Sequence, residues 1–367
     1  MDTATDLSFG WRAQEVADDN TWQIPLSESA VRGFEQALDH AQASGKAMLD
    51  MTPSDFPLSD ECLALLRLAR QTTQGRWGFA LLSGFPVNRW SENQTRLAFW
   101  GVGLHLGVAR PQNINSDYLT DVRDAGGRYR GKGGRGYNTN AGLDFHIDSG
   151  DLVGLMCRRI AKSGGESKLT SSKAIYQAVV SRHPDLAEVL REPLWFSWQG
   201  AMAKHDPPCY ACPVVDFKDD YFAFRFNLKN IIAAQRDFTT VPRLSTKQQE
   251  LIDVVVSLFP DPEFCYSMEL KPGDLQLVNN YHVIHSRTAF EDFRAFDHKR
   301  HLIRLWLCIP DCPALPDSWA TQTKQTGRNV LRGGLRGSHV SEAFLQYEQR
   351  QAQIHGLDAR YYRKCPR

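Results

Sequence analysis

The chain has 367 residues, of which 42% are hydrophobic and 11% aromatic, which is enough apolar material for a globular core. Its 43 basic residues nearly balance its 42 acidic residues, so the composition argues against nucleic acid or an anionic membrane as the main partner. No apolar run approaches the roughly 18 residues of a membrane span, and the acidic amino terminus lacks the apolar stretch of a secretory signal. We therefore expect a cytoplasmic protein. In that compartment its eight scattered cysteines should be free thiols.

The first hundred residues predict helices around one short strand. Apolar residues at helical spacing indicate a helix from Ser27 to Lys46, and Ser59 is a plausible N-cap for the next helix. The apolar run between Gly78 and Gly84 predicts a buried strand. Ser91 then opens a helix through a capping box with Gln94.

The segment from residue 110 to residue 140 shows little periodicity. It is rich in Gly, Asn, Asp and Arg, and residues 128–136 have the composition of a flexible loop. This loop is either a lid over a site or a plain surface loop. If it is a lid, Tyr137, Asn138 and Asn140 would be its polar contacts to a substrate.

The rest of the chain alternates strands with helical insertions. Turn residues predict hairpins over 214–226 and 264–279, Ser245 with Gln248 predicts another capped helix, and residues 300–309 form an apolar strand. No βαβ repeat appears. The pattern favours an α+β, mainly β fold with a double-stranded β-helix (jelly roll, cupin-like) core and flanking helices.

One short motif, a histidine and an aspartate two residues apart, indicates a metal site. His146 and Asp148 lie two residues apart, so on a strand their side chains project from the same face. With one more histidine they would form a two-histidine, one-carboxylate face that suits ferrous iron. His282 and His285 are the downstream candidates, and spacing alone does not choose between them. The alternative interpretation is a structural His–Asp hydrogen bond.

Two arginines of the last strand suggest acidic ligands. Arg300 and Arg304 share one face of that strand, and burying two guanidinium groups requires anionic partners. Those partners are either organic acids bound in the barrel or protein carboxylates such as Asp144 or Glu269.

Taken together, these motifs resemble the iron(II)/2-oxoglutarate dioxygenases of the TauD/TfdA (taurine dioxygenase-like) family. The resemblance covers roughly residues 75–312, within a single catalytic domain that adds a lead-in over 1–75 and a tail over 313–367. The segments that carry it are His146-x-Asp148, the Gly-Gly-acid-hydroxyl turn at 162–167, the turn at 270–274, the distal histidine segment at 283–288 and the arginine strand at 300–304.

The resemblance assigns roles that spacing could not. It implies that His146, Asp148 and His285 bind Fe(2+), which leaves His282 outside the site. It implies that Arg300 binds the distal carboxylate of 2-oxoglutarate and that Ser167 stands where the family often has a threonine in contact with that carboxylate. Arg304 matches a position that binds an anionic substrate group in some members.

The implied reaction consumes O2 and 2-oxoglutarate and releases succinate and CO2 as an unactivated C–H bond is oxidised. Hydroxylation is the default outcome, and desaturation or ring closure uses the same oxidant. The expected substrate is a small amino acid or organic acid. Other partners are not indicated, although a homo-oligomer is allowed. The alternatives are a zinc-dependent hydrolase or lyase on the same metal face and a non-enzymatic 2-oxoglutarate sensor.

Overall fold

The computed structural model describes residues 10–129, 134–202, 206–335 and 341–360. Residues 130–133 of the predicted loop lie outside this range. The α-helices within it are α1 Ala13–Asp18, α2 Glu28–Ser44, α3 Asp60–Gln74, α4 Glu92–Leu106, α5 Ser172–Arg182, α6 Leu228–Asp237, α7 Thr246–Leu258, α8 Ala320–Thr323 and α9 Glu342–Ile354.

The strands are short and most of them are buried. Those in the first half of the chain are β1 Gln23–Pro25, β2 Phe79–Ser83, β3 Val108–Arg110, β4 Leu119–Val122, β5 Leu143–His146, β6 Leu152–Arg159, β7 Ser163–Gly164 and β8 Ser167–Ser171. The others are β9 Pro193–Ser197, β10 Cys209–Pro213, β11 Val215–Lys218, β12 Tyr221–Phe224, β13 Cys265–Met268, β14 Leu275–Asn279, β15 Val283–Arg287, β16 Phe290–Glu291 and β17 His301–Cys308.

Two sheets form the centre of the fold in the described part of the chain. The larger has seven strands in the order β1-β2-β14-β6-β17-β3, and β4 also pairs with β17. The smaller has four strands in the order β13-β8-β15-β5. Side chains from both sheets line one cavity, among them Leu155 and Leu302 from the larger sheet and Ser167 and His285 from the smaller. This arrangement agrees with the expected jelly-roll core with flanking helices.

Local capping signals place the helix starts. The side chains of Ser27, Ser59, Ser91 and Ser245 each accept a hydrogen bond from a backbone N–H in the first turn of the following helix. These predictions are confirmed, because an N-cap side chain satisfies a donor that the helix itself leaves unpaired. Helix α2 ends at Gly45, whose φ of 62° is readily available to glycine.

One predicted hairpin is wrong. The turn after Leu270 forms as expected, because the Asp274 side chain accepts a hydrogen bond from the Lys271 backbone N–H at 2.7 Å. The strands on either side of it do not pair with each other. Instead, β13 pairs with β8 in the smaller sheet, and β14 pairs with β2 and β6 in the larger sheet. The turn is therefore a crossing between sheets. The hairpin of β11 and β12 is confirmed.

The segments on either side of the resemblance also pack against its core. Strand β1 pairs in parallel with β2 at the edge of the larger sheet. Near the other end of the chain, Glu348 of α9 forms a buried ion pair with Arg110 of β3 at 2.6 Å. Within the described residues, no helix has the length and apolar character needed to cross a bilayer. The cysteines that the structure describes are free thiols.

Candidate metal centre and ligand cavity

The smaller sheet brings a cluster of metal-binding side chains together. His146 ends β5 and lies directly across from His285 of the antiparallel strand β15. One ligand atom from each of His146, Asp148 and His285 lies within 4.8 Å of the others. His282 does not line the cavity, and its ring packs instead against Tyr221 at a centroid distance of 5.2 Å. The geometry therefore selects His285 as the third candidate ligand.

The ring of His146 is held by its own strand. Its Nδ1 lies 2.8 Å from the backbone carbonyl oxygen of Asp144. Because a carbonyl oxygen can only accept, Nδ1 carries a proton, and Nε2 is the ring nitrogen left to bind a metal. A hydrogen bond on the second ring nitrogen is the usual way in which proteins orient a metal-binding histidine.

The carboxylate of Asp148 has a defined set of donors. The Trp306 indole N–H donates to its Oδ2 at 2.8 Å, and Nη1 of Arg304 lies 3.4 Å from the same oxygen. Burial alone would raise the pKa of Asp148, but its neighbours, the Arg304 guanidinium foremost, lower that pKa overall. Asp148 is therefore ionised, as a metal ligand must be.

His285 is buried and electrically neutral. Desolvation lowers its pKa to about 3, and the neighbouring His146 lowers it in the same direction. A neutral imidazole is the form that binds a metal. Among the described residues its Nδ1 has no hydrogen-bond partner.

Two buried arginines, Arg300 and Arg287, line the same cavity as the metal-binding side chains. Arg300 is 5% exposed, its Nη2 donates to the carbonyl oxygen of Gly165 at 3.3 Å, and its Nη1 has no partner among the described residues. Arg287 lies on the same Phe290 ring, 4.7 Å from its centroid, while Arg300 lies 5.1 Å from it. Burial and the adjacent Arg300 lower the pKa of Arg287 to about 9. Ser167 also lines the cavity.

The protein carboxylates proposed as partners for the two arginines are not their partners. Within the described residues neither Arg300 nor Arg304 pairs with Asp144 or Glu269. Arg304 donates instead from Nε to Gln112 Oε1 at 2.7 Å, in addition to its contact with Asp148. The unpaired donor of Arg300 therefore remains available to a ligand.

Two of the four residues predicted to contact a substrate line the cavity. Arg304 and Tyr137 line the cavity, with the guanidinium 5.6 Å from the centre of the Tyr137 ring. Asn138 and Asn140 are not among the described residues that line the cavity, and their contact with a substrate stays a prediction. Asn140 is exposed, and the backbone carbonyls of both residues accept hydrogen bonds that fasten the loop.

Several cavity residues were missed by the sequence reasoning. Trp306 could have been found, because it lies two residues after Arg304 on one face of β17. Gln112, Arg135 and Arg225 come from separate segments that only the folded chain brings to the cavity. No local sequence signal marks them.

Comparison with known proteins gives the family. The family model "Taurine catabolism dioxygenase TauD, TfdA family" matches residues 44–306. The chain therefore belongs to the TauD/TfdA family. It is an iron(II)- and 2-oxoglutarate-dependent dioxygenase whose cofactors are Fe(2+), 2-oxoglutarate and O2.

Two curated relatives align over most of the chain. FR-33289 synthase from Streptomyces rubellomurinus is 30% identical over 318 residues, which is 85% of this chain and 92% of the relative. The taurine hydroxylase-like protein SAT17 from Stachybotrys chartarum is 26% identical over 81% of this chain and 78% of the relative.

Solved structures share the fold. An asparagine oxygenase in complex with Fe(II), 3-hydroxyasparagine and succinate superposes with a TM-score of 0.62 at 16% identity, over 78% of this chain and 93% of that one. The non-heme iron oxygenase OrfP in complex with Fe and α-ketoglutaric acid gives 0.57 at 14% identity, over 78% and 94% of the two chains.

Proposed function

We propose that this dioxygenase uses His146, Asp148 and His285 to hold ferrous iron and oxidises an unactivated C–H bond of a small, carboxylate-bearing substrate. The observation that carries the proposal is the meeting of these three donors within 4.8 Å at the wall of a cavity. Two histidines and one carboxylate on one face leave open positions for a 2-oxo acid and O2.

Arg300 is proposed to bind the distal carboxylate of 2-oxoglutarate, with Ser167 beside it. Its guanidinium is buried and has one unpaired nitrogen within the described structure, so a carboxylate would complete it. Ser167 Oγ lies 3.0 Å from Gln276 Oε1, which fixes the hydroxyl at the cavity wall.

When bound, ferrous iron and 2-oxoglutarate would activate O2, which is the oxidant both for the conversion of 2-oxoglutarate to succinate and CO2 and for the oxidation of the substrate C–H bond. The protein binds and orients the reactants. The Trp306 and Arg304 donors keep Asp148 ionised, and the Asp144 carbonyl turns His146 so that Nε2 faces the cluster. Apolar side chains such as Leu155 and Leu302 exclude water from the cavity wall.

We also propose the class of the substrate and the type of oxidation. Arg304 and Tyr137 line the cavity near Asp148, which favours an acidic group on the substrate. Solved relatives hold hydroxylated asparagine and hydroxylated arginine, which supports an amino acid. The carboxylate of Asp148 occupies the place that related halogenating sites leave for chloride, so we expect hydroxylation, desaturation or ring closure.

The test has two stages. Addition of ferrous iron and 2-oxoglutarate without oxygen should produce a coloured complex, which a zinc enzyme would not form. A screen of amino acids and small organic acids, with oxygen present, should then find compounds that stimulate succinate formation. Iron-loaded protein that never consumes 2-oxoglutarate with any compound would contradict the enzymatic role and favour a sensor.

A further inference from the structure

The charge of the cavity is strongly one-sided. The whole chain carries a formal net charge of only +1. Among the described residues that line the cavity, Asp148 is the one carboxylate. Six cationic side chains accompany it, namely Arg135, Arg225, Lys229, Arg287, Arg300 and Arg304.

The proposed cofactors do not remove this excess. The two positive charges of ferrous iron are matched by the two negative charges of 2-oxoglutarate. Arg287 and Arg300 lie together on Phe290, where the distal carboxylate is expected, and Arg304 contacts Asp148. Lys229 donates to the backbone carbonyl oxygen of Gly134. Among the described residues, no carboxylate lies within 4 Å of Arg135 or Arg225. Because an uncompensated buried charge is costly, two such cations favour the binding of an anionic ligand in the cavity.

Arg225 is the more deeply buried of these two. It is 3% exposed and lies just after β12. Two residues later, Asn227 pairs with His146, and both Arg225 and Asn227 line the cavity while Phe226 between them is buried in the core. Side chains alternate along an extended segment, so the Arg225 guanidinium points toward the side that carries the candidate metal ligands.

The partners of Arg225 orient it but do not neutralise it. Its Nε donates to the Tyr210 hydroxyl at 2.9 Å, and its Nη2 contacts the same oxygen. The guanidinium also lies over the Phe196 and Tyr210 rings, 5.4 and 5.0 Å from their centroids. Burial raises the pKa of Tyr210 to about 12, so its hydroxyl stays neutral. The positive charge is thus held in a fixed place without a counter-charge from the part of the chain that the structure describes.

A further donor lies on the same wall. Trp198 lines the cavity, is 7% exposed and packs on Tyr210 at a centroid distance of 4.2 Å. Its indole N–H has no partner among the described residues. A buried N–H and a buried guanidinium on one wall form a recognition surface for an oxyanion.

Building on the proposed function, we propose that the substrate carries a second acidic group, phosphoryl or carboxylate, and that Arg225 binds this group. Tyr210 is a positioning residue for the guanidinium. The substrate then carries two acidic groups, one near Arg304 and the other at Arg225.

The test uses the whole protein loaded with ferrous iron and 2-oxoglutarate under anaerobic conditions. O-phospho-L-serine, L-aspartate and L-serine are titrated, and binding is followed by the change in thermal unfolding temperature. We expect at least one of the two acidic probes to bind at least tenfold more tightly than L-serine. A preference for O-phospho-L-serine assigns a phosphoryl group, and a preference for L-aspartate assigns a carboxylate.

Arg225→Gln should lose at least tenfold in affinity for the preferred acidic probe while the coloured iron–2-oxoglutarate complex still forms. Tyr210→Phe should lose less, because the guanidinium remains but is less well oriented. Arg191→Gln is the matched control, since Arg191 pairs with Asp216 at the surface at 3.2 Å.

Two results would overturn the proposal. One is binding of L-serine as tight as that of both acidic probes, which decides the matter on the wild-type protein even if Arg225→Gln fails to fold. The other is a folded Arg225→Gln that keeps the full preference for the acidic probe. Failure of the wild-type protein to form the coloured complex would overturn the iron site itself, and with it this proposal.

Discussion

At the scale of single residues, the choice between two histidines decides the metal site. His282 and His285 are three positions apart near the start of β15, so their side chains leave the backbone on different sides. His285 reaches the cavity beside Asp148, with its Nε2 3.8 Å from Asp148 Oδ2. His282 packs away from the cavity on Tyr221.

We therefore expect His285→Ala to lose bound iron and His282→Ala to keep it. The first change removes one of three donors, whereas the second removes a ring that does not face the cluster. Iron content per folded chain, measured on both purified variants, checks this, with circular dichroism as the control for folding. The reverse pattern would show that the ligand assignment is wrong.

A second residue-scale prediction concerns the cosubstrate. Arg300→Ala should weaken 2-oxoglutarate binding by about 1.5–3 kcal/mol, because it removes a hydrogen-bonded charge from the proposed carboxylate site. Titration of the coloured iron complex with 2-oxoglutarate should then show a half-saturation concentration about 10- to 150-fold higher. Arg159→Ala is a suitable control, since Arg159 donates to the Lys299 carbonyl and does not line the cavity. Unchanged affinity in Arg300→Ala would remove Arg300 from this role.

Site residues that lie close together in the sequence could be predicted, whereas those from distant segments could not. Alternation along β17 relates Arg304 to Trp306. The two-residue spacing of His146 and Asp148 also predicts that they meet, and they do, although β5 ends at His146. Arg225 and Gln112 reach the cavity through tertiary packing of distant segments, which no local period encodes. The sequence could therefore predict the candidate metal ligands but not the cavity wall that is built from distant segments.

At the scale of elements, local sequence signals predicted where helices and turns begin and end better than they predicted which strands pair. The serine N-caps of α2, α3, α4 and α7 satisfy backbone donors within one helical turn, so their effect is independent of the rest of the fold. The turn at 271–274 also depends on local hydrogen bonds. However, the same turn chemistry can close a hairpin or carry the chain from one sheet to another, and here it does the latter.

Helix α9 lies in the predicted tail, yet it is tied to the larger sheet by the Arg110–Glu348 pair, in which both side chains are 0% exposed. Glu348→Gln should lower the free energy of unfolding by about 3–5 kcal/mol, because it leaves the Arg110 charge buried without its carboxylate. Urea unfolding measures this. Glu28→Gln, at an exposed pair with Arg32, should change stability little. Equal stability of Glu348→Gln and the wild-type protein would show that the pair contributes nothing.

At the scale of the whole molecule, the site draws on both sheets. The proposed ligand His285 belongs to the smaller sheet, whereas Arg304 and Trp306, which hold Asp148, belong to the larger. Ligands that bind only the folded site should therefore stabilise the whole fold.

We expect iron and 2-oxoglutarate to raise the free energy of unfolding. Each ligand, at about 100 times its dissociation constant, should add about 2.7 kcal/mol. The thermal unfolding temperature should rise under anaerobic conditions and fall again when a chelator removes the metal. His285→Ala should show no response to iron. An unfolding temperature that ignores both additions would contradict binding at this place.

The direct pairing of His146 with His285 across β5 and β15 has an evolutionary consequence. Register between two adjacent strands holds these imidazoles, and a slip of one residue would turn one of them away. The long stretch of chain between the two histidines also supplies Tyr210, Arg225 and the start of α6 to the cavity wall. Helices and loops of that stretch can change while β6, β8 and β14 keep the two sheets in place, so a different cavity wall can be acquired without rebuilding the metal-binding cluster.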